Sequence, residues 1–188
     1  MNATSRIEIS KECLLNNMTF LNKLINPRTT VSSVVKGNAY GHGIEQYVPL
    51  AESIGVNHFS VFSADEAYRV QQCTQTDVTI LIMGDIMDDQ IAWAIKEGIE
   101  FYIFEIERLQ QALAIAKELA LPAKVHIEIE TGMNRTGFMR EDWKDVVNLL
   151  KNNQEHLIFQ GLCTHFAGAE SIANYVRIES QKKAYKAG

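Results

Sequence analysis

Residues 101–130 read FYIFEIERLQQALAIAKELALPAKVHIEIE. The stretch opens on a short β-branched and aromatic run, 101–104, and closes on a second, 124–129. Between them a helical pattern, 106–120, sets Leu109, Leu113, Ala116 and Ala120 on one stripe, and Pro122 bars its continuation. A strand, a helix long enough to cross back and a second strand make a parallel βαβ unit.

The same alternation extends in both directions. Strand-like runs occur at 31–35, 58–62, 78–83 and 159–164, with helical patterns at 44–53, 64–72, 88–96, 142–151 and 172–187. Ser63-Ala64-Asp65-Glu66 has the spacing of a capping box, which predicts a helix start at Ala64. A short strand, 6–9, and a helix, 11–24, precede these units. Strand–helix repetition of this kind predicts an α/β fold, either an open doubly wound sheet or a (β/α)8 barrel. No G-x-G-x-x-G follows an early strand, which counts against the dinucleotide-binding sheet. A complete barrel takes about 250 residues. We therefore expect a TIM-type (β/α)8 barrel truncated after about six strand–helix units, with exposed sheet edges that favour aggregation.

Composition narrows the function classes. Apolar residues make up 46% and charged residues 22% of the 188, the balance of a globular protein, and the net charge of −5 gives no reason to expect nucleic acid. No apolar run approaches the ~20 residues of a membrane span. Met1-Asn2-Ala3-Thr4-Ser5-Arg6 lacks a signal-peptide core, so a cytoplasmic location is expected. Cys13, Cys73 and Cys163 lie far apart and are expected to be small buried residues rather than nucleophiles or disulfide partners. The five histidines lack i, i+3 or i, i+4 spacing, so no metal site is expected.

Barrel ligands bind at the C-terminal ends of the strands, and three segments there carry chemistry. In Val34-Val35-Lys36-Gly37-Asn38-Ala39-Tyr40-Gly41-His42-Gly43 a lysine closes an apolar strand before a glycine-rich loop. Partial desolvation favours a neutral amine, the form that condenses with a carbonyl. A lone strand-end lysine is more commonly a cation snorkelling to water, but three nearby glycines allow close backbone approach to a ligand. In His126-Ile127-Glu128-Ile129-Glu130-Thr131-Gly132-Met133-Asn134-Arg135-Thr136-Gly137-Phe138, alternation places His126, Glu128 and Glu130 on one face. Arg135 is the obvious partner for Glu128, either at a ligand site or as a structural ion pair. The third segment, Thr164-His165-Phe166, ends another apolar strand. A lone histidine there is more often a hydrogen-bonded core residue.

These motifs resemble, in order and over essentially the whole chain, the signatures of the alanine racemase family. Residues 35–43 resemble its cofactor-lysine signature, with Gly37 where alanine is usual, and residues 130–138 and 164–166 resemble its second and third. The resemblance implies an incomplete N-terminal barrel domain spanning 1–188, without the family's C-terminal β domain. It implies pyridoxal 5'-phosphate as cofactor, held by Lys36, which would also carry protons at one face of the substrate Cα. Tyr40 would contact the cofactor phosphate, and Arg135 the cofactor's phenolic oxygen and the substrate carboxylate. His165 would steady the group facing the pyridine nitrogen. Glu128 stands where many members carry a carbamylated lysine, and would supply the anion behind Arg135. The second base would come from the partner subunit's β domain. The implied reaction is two-base interconversion of L- and D-alanine by a homodimer, supplying D-alanine for peptidoglycan. A racemase for serine, lysine or arginine, and a non-catalytic pyridoxal-phosphate carrier, are the alternatives. The 188 residues alone are expected to be inactive.

Overall fold

In the computed structural model, which describes residues 5–187, the alternation read from the sequence is realised in two compact units, 1–84 and 85–188. Met1–Thr4, in the segment read above for a signal peptide, lie outside the described residues, as does Gly188.

The first unit starts with helix α1 (Lys11–Leu24), capped by the Ser10 hydroxyl, which accepts from the Cys13 amide at 3.2 Å. It continues through β1 (Ser33–Val34), a one-turn segment α2 (Lys36–Tyr40), α3 (Ile44–Glu52), β2 (His58–Val61), α4 (Ala64–Cys73) and β3 (Thr79–Ile82). The strands pair in parallel, Val34 opposite Ser60 and Ser60 opposite Leu81. Helices α3 and α4 pack against each other, and α4 also packs on β2 and β3. Phe59, Val61, Ile82, Ile44, Val48 and Val70 close the core, each contributing about 1.5–3 kcal/mol by leaving water.

The second unit contains α5 (Asp88–Lys96), β4 (Glu100–Ile103), α6 (Ile106–Leu119), β5 (Ala123–Glu128), α7 (Trp143–Asn152), β6 (Leu157–Cys163) and α8 (Tyr175–Lys186). Its strands are also parallel, Phe101 opposite Val125 and Ile127 opposite Leu162. The α6 stripe is buried at Leu109, Ala112, Leu113 and Ala116. Ala120 instead forms the exposed left-handed C-cap (φ 51°), so the helix ends one residue before the stripe read from the sequence. The register of β5 with β6 shifts between Val125 and His126, a bulge that places Val125 opposite Phe159 but His126 opposite Gly161.

Three expectations are corrected. The strand at 6–9 is absent: residues 5–10 carry no regular structure, and Ile7 is exposed, because a strand needs a hydrogen-bonded neighbour. Cys13 is exposed rather than buried, since α1 has no buried residue, while Cys73 and Cys163 are half-buried. The capping box at Ser63 does not form. Ser63 is the N-cap without a side-chain bond, and the Glu66 carboxylate is engaged elsewhere. Among the described residues no helix is long and apolar enough to cross a membrane.

Candidate active site

In the first unit the candidate residues lie where β1 stops. Val35 is fully buried, and its amide donates to the Ser60 carbonyl at 2.8 Å, so Lys36 begins at a fixed strand end. The next four residues, Gly37, Asn38, Ala39 and Tyr40, all have positive φ, between 53° and 60°. This is a complete left-handed turn, terminated by Gly41 at φ 90°. For residues with a Cβ the conformation costs roughly 1–2 kcal/mol each, less for asparagine. Several bonds offset that cost. Ala39 N–H donates to Val35 C=O (2.8 Å), Gly41 N–H to Gly37 C=O (3.1 Å) and Gly43 N–H to Asn38 C=O (2.9 Å). The Asn38 side-chain oxygen accepts from the Ile44 amide at 3.1 Å and from Arg69 Nη2 at 2.6 Å. Ala39 is buried under the turn, Lys36 is half-buried and Tyr40 is 64% exposed. A lysine and a phenol are thus set at the two ends of one rigid turn.

In the second unit Glu128 ends β5 almost fully buried. The following loop, 129–138, is stitched closed by Phe138 N–H to Glu128 C=O (2.8 Å) and Glu130 N–H to Phe138 C=O (3.0 Å). The Glu130 carboxylate accepts from the Gly132 amide and from the Asn134 amide at 2.8 Å. Gly137, at φ 116°, allows the crossing, since a Cβ there would lie 2.6 Å from the Glu130 nitrogen. Arg135 follows Asn134 (φ 56°) at the exposed tip.

The expected Glu128–Arg135 ion pair is not formed, and among the described residues Arg135 has no salt-bridge partner. Glu128 accepts instead from the Thr136 hydroxyl at 2.9 Å. The cause is local: the turn at Asn134 carries Arg135 outward and brings the next residue back over the carboxylate. Elsewhere on these strands, His126 Nε2 lies 2.6 Å from Glu100 Oε2, and the His126 and Tyr102 rings are 6.0 Å apart. Burial pushes the Tyr102 phenol up, and it pushes the Cys163 thiol up to about 12 against the opposing hydrogen bond from Tyr102.

His165 is exposed just beyond β6. Its carbonyl accepts from Gln181 Nε2 at 2.8 Å, and Gln181 Oε1 accepts from the Ala167 amide at 2.9 Å. Gln181 also donates to the Thr131 hydroxyl at 3.2 Å, and Thr131 meets Thr164 at 2.7 Å. One buried glutamine on α8 therefore ties the Thr131 loop to the His165 loop. The sequence reading missed Gln181, because a glutamine within a largely polar helix gives no signal of burial. The structure sets Lys36 and Tyr40 at the two ends of one turn in the first unit, and brings Thr136 to Glu128 in the second.

Residues 9–187 match the family model described as "Alanine racemase, N-terminal domain". The chain belongs to the alanine racemase family. The alanine racemase of Leptospira interrogans serogroup Icterohaemorrhagiae serovar copenhageni is 34% identical over 181 residues, 95% of this chain and 45% of that one. The solved alanine racemase of Clostridium difficile 630 matches with a TM-score of 0.84 at 29% identity, over 93% of this chain and 45% of that one. A histidine racemase from Leuconostoc mesenteroides subsp. sake shares the fold, with a TM-score of 0.83 at 24% identity, over 94% of this chain and 46% of that one. The chain spans about half the length of the alanine racemases it matches. Family membership accounts for the α/β barrel-type fold of six strand–helix units expected from the sequence.

Proposed function

We propose that the intact protein is a pyridoxal-phosphate-dependent racemase that interconverts L- and D-alanine. The observation that carries this reading is the left-handed turn at 37–40, which fixes a half-buried lysine at a strand end, with the Tyr40 phenol at the other end of the turn. The donor set suits the cofactor: a primary amine for an aldehyde, and a phenol for a phosphate. Among the described residues no side chain hydrogen-bonds or ion-pairs with the Lys36 amine or the Arg135 guanidinium, which leaves the one for a carbonyl and the other for an anion.

Pyridoxal phosphate, when bound, supplies the electron sink. Lys36 would hold it and carry protons to and from one face of the substrate Cα. Arg135 would bind the carboxylate through its planar fork. His165 belongs to the cofactor's surroundings, on the loop that Gln181 braces. Racemisation needs a second, opposed proton carrier, which we assign to a partner subunit of a homodimer. Cytoplasmic supply of D-alanine for peptidoglycan is the cellular role we infer.

Incubating the intact protein with pyridoxal 5'-phosphate, reducing with borohydride and mapping peptides should place the label on Lys36. Chiral analysis should show L-alanine converted to an equal mixture of enantiomers. Label on another lysine, or no turnover of alanine beside turnover of another amino acid, would sink the respective part of the reading.

A further inference from the structure

The left-handed turn is braced from one side by α4. Glu66 Oε1 accepts from the Gly37 amide at 2.6 Å and from the Asn38 amide at 3.4 Å, while Oε2 accepts from the Phe62 amide at 3.0 Å. The first two are the amides directly after Lys36, and Phe62 directly follows β2. One carboxylate therefore ties the end of β2 to the start of the turn. One helical turn further along α4, Arg69 donates from Nη2 to the Asn38 side-chain oxygen (2.6 Å) and to Glu45 Oε2 (2.8 Å), and from Nε to Glu45 Oε1 (2.7 Å). Asn38 is thus held through its backbone by Glu66 and through its side chain by Arg69, and Glu45 fixes the arginine's rotamer. The ion pair draws the Glu45 carboxyl down to about 2. At the N3 position of α4, Glu66 could close a capping box on Ser63, but its carboxylate bonds to Gly37, Asn38 and Phe62 instead. Here the carboxylate offsets the cost of a turn that three residues with a Cβ enter against their preference.

We propose that Glu66 and Arg69 are positioning residues for the Lys36 amine, acting through the left-handed turn that follows it. The inference rests on the reading of Lys36 as the cofactor lysine. If the brace is lost, the turn relaxes toward right-handed or extended backbone, and the strand end from which Lys36 projects relaxes with it. Charge and geometry both matter: a carboxylate accepts from both directions, whereas a glutamine can accept only through its one oxygen.

The test compares the intact protein with Glu66→Gln, Arg69→Lys and a control, Glu52→Gln, whose carboxylate caps Gln75 and Thr76 elsewhere in the same unit. Each is treated with pyridoxal 5'-phosphate and borohydride, and the rate of label on Lys36 is divided by that on the exposed Lys11 and Lys23 in the same sample. Amide exchange at residues 37–43 is followed in parallel. We expect the Lys36 ratio to fall about tenfold in Glu66→Gln and less in Arg69→Lys, with faster exchange of the Gly37 and Asn38 amides and no change in the control. Should Glu66→Gln fail to fold, Arg69→Lys decides by the same two measurements. An unchanged Lys36 ratio in a folded variant overturns the proposal, whether or not exchange speeds up. So does a fall shared equally by Lys11 and Lys23, which reports general loosening. Failure of the unsubstituted protein to label Lys36 would overturn the underlying reading together with the inference, and is told apart because it needs no variant.

Discussion

At the scale of single residues, the candidate site depends on backbone positions that most side chains could not occupy. Gly137 is the clearest case, since backbone atoms of Ile129 and Glu130 lie 2.6–2.7 Å from where a Cβ would stand. Backbone cannot swing aside as a flexible side chain can. Gly137→Ala should therefore cost about 2 kcal/mol or more and lower the melting temperature by several degrees. A melting temperature within a degree of the unsubstituted protein would show that the loop accommodates the methyl. The cysteines give a second test. The Cys163 thiol is pushed up to about 12, with burial as the largest cause, and Cys73 is also raised by burial, whereas Cys13 lies exposed on α1. Because the thiolate is the reactive form, a maleimide at neutral pH should modify Cys13 first and leave Cys163 intact until the fold opens. Mass spectrometry of partly labelled protein would read the order, and early label on Cys163 would contradict its burial.

At the scale of elements, much was legible in the sequence and the exceptions have physical causes. Every strand from β1 to β6 was legible as a short β-branched or aromatic run, continuous where both faces are buried as in β2 and β3, and Leu109, Leu113 and Ala116 marked the inward side of α6. The strand at 6–9 misled because alternation states a capacity to pair and says nothing of a neighbour. The left-handed turn was not legible: glycines at 37, 41 and 43 indicated a loop that a ligand can approach closely, and no propensity predicts Asn38, Ala39 and Tyr40 together at positive φ. Glu66 was legible as an acid at a helix start, but its partners 28 and 29 residues away were not. Arg135 and Glu128 shared the right segment, yet one turn at Asn134 decided which neighbour meets the carboxylate. The contact between α3 and α4 also carries a pH dependence. Glu45 is drawn down from 4.5 to about 2, first by its hydrogen bonds from Arg69. A carboxyl depressed in the folded state stabilises above its unfolded value and loses that contribution as pH falls through the folded value. The difference in melting temperature between the unsubstituted protein and Glu45→Gln should therefore hold steady above pH 5 and shrink toward zero between about pH 4.5 and 2. A difference that grows on acidification would have the wrong sign.

At the scale of the whole molecule, β6 of the second unit stays largely open, with Ile158, Phe159 and Leu162 all exposed. The bulge in its pairing with β5 brings Phe159 and Leu162, three residues apart, into register with Val125 and Ile127, so both face the same side. With Trp143, Val147 and Leu150 of α7 they line a groove of about 610 Å³, in which Phe159 is half exposed. Apolar side chains clustered and exposed in this way offer a surface for a partner or for self-association. The chain spans about half the length of its alanine racemase relatives, and nothing within residues 5–187 fills the groove. Studied as the 188 residues alone, it should enhance the fluorescence of an apolar dye such as ANS and sediment as a mixture whose mean mass rises with concentration. Replacing Phe159 and Leu162 together by serine removes the most prominent apolar atoms from the groove while leaving the backbone pairing of β5 and β6 in place. That variant should lose most of the dye signal and sediment nearer to a monomer, at a modest cost in melting temperature because both side chains are already partly in water. Equal dye binding in the two proteins would place the sticky surface elsewhere, with the exposed Phe20, Leu21 and Leu24 of α1 the next to replace.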